Sequence, residues 1–84
     1  MDKLGLYEYN QFTPDEQAEL LWDKGVFLIN RMDDKYSYNL YSLFDFFVEV
    51  WYDSKKNSIY KFRTFKTVEA LEPYLDRINL DWKP

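Results

Sequence analysis

The chain contains no cysteine and no histidine. Thiol nucleophiles, disulfides, imidazole bases that titrate near neutrality and Cys/His zinc sites are therefore all excluded. Glycine is almost as scarce, and Gly5 and Gly25 stand too far apart to build a phosphate or dinucleotide loop, which needs several glycines in close succession. Two glycines and three prolines are also too few for a low-complexity or disordered chain. No run of about 18 apolar residues is present to span a bilayer. The opening MDKLGLYEYN lacks the basic region and apolar core of a secretory signal, so the expected location is cytoplasmic, without a membrane partner.

What the chain has is aromatic bulk. Its 84 residues include 7 Phe, 8 Tyr and 3 Trp, and each such side chain can bury roughly 150–250 Å². With 46% hydrophobic residues, this is enough for one packed domain spanning residues 1–84. The net charge of −4 is unevenly spread: residues 1–34 carry eight acidic against three basic groups, whereas residues 35–66 carry six basic against three acidic. The overall charge argues against indiscriminate nucleic-acid binding, but the middle of the chain is locally basic.

Local patterns place the elements. Leu4, Leu6, Tyr7, Tyr9 and Phe12 make the first residues too apolar for a free tail. Thr13-Pro14-Asp15-Glu16 combines a cap, a first-turn proline and a capping-box glutamate, and predicts a helix carrying Ala18, Leu21 and Trp22 on one face and ending at Gly25. From Val26 the period changes to two. Asp33-Asp34 reads as a turn, Ser42 to Asp45 as a weaker break, and Asp53 to Asn57 as a polar turn holding an Asn, a residue that can adopt a left-handed conformation. Four antiparallel strands result. Val68, Leu71, Leu75 and Ile78 recur at helical spacing after a Thr67 cap, with Pro73 kinking or dividing the closing helix. Leu80 and Trp82 are expected to pack. The fold class is therefore α+β, a four-stranded antiparallel β-meander flanked by an N-terminal and a C-terminal helix, with both helices mainly on one face.

The Tyr38–Leu80 region, especially LYSLFDFFVEVWYD, NSIYKFRTF and LEPYLD, resembles a group of short uncharacterised bacterial proteins. That resemblance implies a compact helix-meander-helix domain. It carries no activity and no functional residue.

Three constellations bear on function. Asp45, Glu49 and Asp53 fall on one strand face and could bind a cation or serve as acid and base, but a cross-strand pair of Glu49 with Lys61 or Arg63 is the simpler reading. Trp51, Lys55, Lys56, Tyr60, Lys61, Arg63 and Lys66 form a basic-aromatic hairpin, which suits stacking on bases and following phosphates. Finally, Phe44 to Phe65 carries large apolar side chains on both strand faces, whereas a sheet with one wet face would alternate with polar residues.

The expected function is accordingly a non-enzymatic protein-interaction domain, docking a protein partner or itself as a homodimer. Phe27, Ile29, Phe47 and Trp51 are the expected anchors on an aromatic sheet face, within a polar surround of Glu49, Lys61 and Arg63. Nucleic-acid or other polyanion binding through residues 51–66 is the alternative. No catalytic residue, metal site or cofactor is assigned.

Overall fold

The computed structural model describes residues 4–74. Two short helices, α1 (Leu6–Gln11) and α2 (Pro14–Lys24), precede β1 (Val26–Met32), β2 (Tyr36–Leu43), β3 (Phe46–Asp53) and β4 (Ser58–Phe65), and a 3₁₀ helix, Val68–Tyr74, follows. The strands form one antiparallel sheet in the order β1-β2-β3-β4. The α+β meander expected from the sequence is thus the observed architecture. No described helix is long and apolar enough to cross a membrane.

The start of α2 follows its sequence signal: Glu16 N donates to Thr13 Oγ1 at 3.2 Å and Thr13 N to Glu16 Oε1 at 2.9 Å, which satisfies two end groups reciprocally. The helix stops at Gly25, and the space there admits only glycine. Its φ of −76° is ordinary, but a Cβ there would lie 2.6 Å from the Leu21 carbonyl oxygen. The apolar first segment is itself helical. Tyr9 OH donates to the Gln17 carbonyl at 2.8 Å and Gln17 Nε2 to the Tyr9 carbonyl at 3.0 Å, so α1 and α2 are locked through buried polar groups.

Turn chemistry sets the hairpins. Asp33 Oδ1 accepts from the backbone of Lys35 and Tyr36, and Asp53 Oδ1 from that of Lys55 and Lys56, the local bonding that makes aspartate a turn former. Asn57 has φ 54°, as expected, and its side chain accepts from Tyr52 OH. The middle hairpin turns more tightly than the expected break at Ser42 to Asp45. Leu43 pairs with Phe46 across a two-residue turn in which Phe44 takes φ 54°, a conformation that a bulky residue holds at a cost.

Both faces of the sheet are covered, by different elements. On the first, Tyr9 and Leu21 from the helices pack on Leu43, Phe46, Val48 and Val50. On the second, Tyr74 and Leu71 from the 3₁₀ helix pack with Tyr38, Leu40 and Phe65. The expectation that the helices share one face is corrected here: α1 and α2 take one side, and the 3₁₀ helix, with Pro73 inside it, takes the other. Leu75, Ile78, Leu80 and Trp82 lie outside the described residues.

Candidate functional site

Glu49 lies at the centre of the second face and is 1% exposed. The register that pairs it with Leu40 on one side and Arg63 on the other fixes this position. Its Oε1 accepts from Trp51 Nε1 at 2.7 Å and Arg63 Nη1 at 3.3 Å, and its Oε2 accepts from Tyr74 OH at 2.6 Å. Arg31 Nη2 stands 3.7 Å from Oε2, and its guanidinium lies 3.9 Å above the Tyr38 ring and 5.1 Å from that of Tyr74. The Arg31 Nε is buried without a hydrogen-bond partner among the described residues, so charge attraction and ring contact hold this side chain in place. Burial first, and the bond to Glu49 second, push the Tyr74 hydroxyl pKa up.

The expectation that Glu49 belongs to an exposed polar surround is therefore wrong, although its pairing with Arg63 is present. A buried carboxylate is tolerated when donors saturate it, and those donors include Tyr74, 25 residues away in sequence. Chemically this is a clamp that ties the 3₁₀ helix to the sheet. The other two carboxylates do not join it. Asp45 sits in the middle turn, 3.5 Å from Lys66 Nζ, and Asp53 is occupied by backbone donors. Among the described residues no group of acids could hold a metal ion.

Beside the clamp, aromatic rings pack on one another. The Tyr36 centroid lies 5.4 Å from Trp51 and 5.1 Å from Tyr60, Trp51 lies 4.9 Å from Tyr38, and Lys61 Nζ sits 4.3 Å above Trp51. Tyr38 OH donates to Asp33 Oδ2 at 2.6 Å. That bond is the main reason the Asp33 carboxyl falls to about 2, while burial first, and the same bond second, raise Tyr38 to about 12. The basic groups of the last hairpin are mostly engaged: Lys61 with Trp51, Arg63 with Glu49 and Lys66 with Asp45. Lys55 and Lys56 share a hollow of about 280 Å³ with Lys35, but Asp53 lines it too.

The four expected anchors do not form one patch. Ile29, Phe47 and Trp51 are half-buried on the second face. Phe27 is on the first, because the pairing with β2 shifts between Phe27 and Ile29. One extra residue, Leu28, reverses the alternation there. Phe27 packs edge-on against Tyr41 at 5.6 Å, and Trp22 contacts the same ring at 5.7 Å.

Among the described residues, what this leaves open is the edge of the sheet along β1. Val26 is 60% exposed, Phe27 53%, Leu28 46% and Met32 60%, and neighbouring Trp22, expected on the buried face of α2, is 54% exposed. Gln17 and Leu21 are the buried pair of that helix instead. The sequence signal for the open edge was VFLI, four apolar residues in a row on a strand that begins a meander and must lie at its edge.

No family model matches the chain, and neither the curated proteins nor the solved structures contain a significant match to it.

Proposed function

We propose that this chain is a protein-interaction domain that docks through the β1 edge and Trp22. The observation that carries the reading is the bare apolar strip. Edge strands are ordinarily blunted by lysine, proline or a covering element, because their free backbone groups invite another strand. β1 has neither lysine nor proline, and its one charged residue, Arg31, is turned onto Glu49 and Tyr38. Backbone pairing with apolar side chains on either side is how strand addition combines affinity with specificity. The saturated Glu49 carboxylate favours this reading over carboxylate catalysis, and the engaged lysines and arginine of the last hairpin favour it over a polyanion site.

The test is site-specific photocrosslinking in cells. A crosslinking side chain at Leu28 should yield an adduct of discrete mass, whereas one at Lys61 on the second face should yield none. Adducts of equal intensity from both positions, or none from Leu28, would overturn the reading.

A further inference from the structure

Resting on that docking reading, we infer that the occupant of the β1 edge is a second copy of this chain, paired β1 to β1 in antiparallel fashion about a two-fold axis. Three observations carry this. The first is area. Trp22, Val26, Phe27, Leu28 and Met32 are each about half exposed or more, on the order of 500 Å² of apolar surface per copy, so two copies would remove at most about 1,000 Å², which reaches the floor for a specific interface.

The second is complementarity along the strand. Phe27 pairs with Tyr41 and Met32 with Ser37, which places Phe27 and Met32 on the same face at opposite ends of β1. Antiparallel pairing lays the partner's Met32 against Phe27 and Trp22, a thioether-on-ring contact. It also brings Lys24, exposed just before β1 and paired only at 3.9 Å with Asp23, toward the partner's Asp34, exposed just beyond it. Both ends of a two-fold interface gain this ion pair. Arg31, held inward, brings no like charge to the axis.

The third is closure. Pairing two β1 edges leaves β4 as both outer edges of an eight-stranded sheet. β4 is bonded to α1, where Thr64 Oγ1 donates to Asn10 Oδ1 at 3.0 Å, and shares a groove of about 460 Å³ with Pro14 and Ala18 at the start of α2. The flanking helices guard that edge, so assembly stops at two.

The experiment is molar mass by sedimentation equilibrium across a micromolar to millimolar series. The full chain should move from one to two copies, and Leu28→Lys should weaken association at least tenfold. Lys24→Glu and Asp34→Lys, both surface changes that leave the core intact, should each weaken it several-fold. Combined in one chain they should restore it, since the pair is then reversed. A single-copy mass throughout, an unaffected Leu28→Lys dimer, or a double variant no better than the singles would overturn the inference. A single-copy mass accompanied by a Leu28 crosslink to a different protein would sink the dimer while leaving the docking reading standing. A single-copy mass with no crosslink would sink both.

Discussion

On one side of the sheet Tyr9 donates to the Gln17 carbonyl, and on the other Tyr74 donates to the Glu49 carboxylate. Both rings are fully buried and each anchors a helical element, yet the two closures differ in kind. The first is a neutral bond inside an apolar layer to which α1, its C-cap residue and α2 contribute Leu6, Phe12, Leu20 and Leu21. The second is a charge-assisted bond holding seven residues of 3₁₀ helix over a carboxylate with two arginines beside it. Where apolar area is ample, packing does the work; where a short element must cover a face, a strong directed bond substitutes for area.

The largest test of this contrast is Glu49→Ala. Removing the acid leaves Arg31, Trp51 and Tyr74 without their acceptor, and should cost about 3–5 kcal/mol in urea denaturation, as breaking one partner of a buried pair does. If the cost is under about 1 kcal/mol, Glu49 is not holding the second face. Tyr74→Phe against Tyr9→Phe is a finer comparison. The bond to a charged group should be worth about 1.5–3 kcal/mol and the neutral one about 0.5–1.5 kcal/mol. The reverse order would contradict the assignment of roles.

The smallest effect is in pH. Burial pushes the Tyr9 and Tyr74 hydroxyls above the ordinary 10.0, and Tyr38 rises to about 12. A group that holds its proton more tightly when folded contributes stability in full below its unfolded value and loses it as pH climbs through the folded one. Tyrosinate absorbance and loss of circular dichroism should therefore rise together above about pH 10. For Asp33, depressed to about 2, the contribution stands above about pH 4 and fades below it, so acid should loosen the first hairpin turn. Ionisation of the buried tyrosines well before unfolding would separate them from the two closures.

Local chemistry made much of the fold legible. The Thr13 cap, the Asp33 and Asp53 turns and the left-handed Asn57 are signals confined to a few residues. What escaped is non-local or runs against propensity. The inserted Leu28 reversed the side assigned to Phe27, and no period-two reading can locate a bulge before the pairing is known. The burial of Glu49 depends on Tyr74, whose approach only the folded chain reveals. Phe44 with positive φ occupies a turn position that glycine would ordinarily signal. The large apolar side chains on both strand faces of Phe44 to Phe65 read as a face left for a partner, and the structure corrects this. The 3₁₀ helix roofs that face, and the exposed residue of the expected set, Phe27, belongs to the β1 edge.

The sheet shields both of its own faces and, among the described residues, leaves β1 as its open border. Amide hydrogen exchange followed at low and high protein concentration tests this most directly. Protection of Val26–Met32 should rise with concentration, while that of Ser58–Phe65 stays constant. Exchange in β1 that is independent of concentration, or protection that rises in β4 instead, would contradict it.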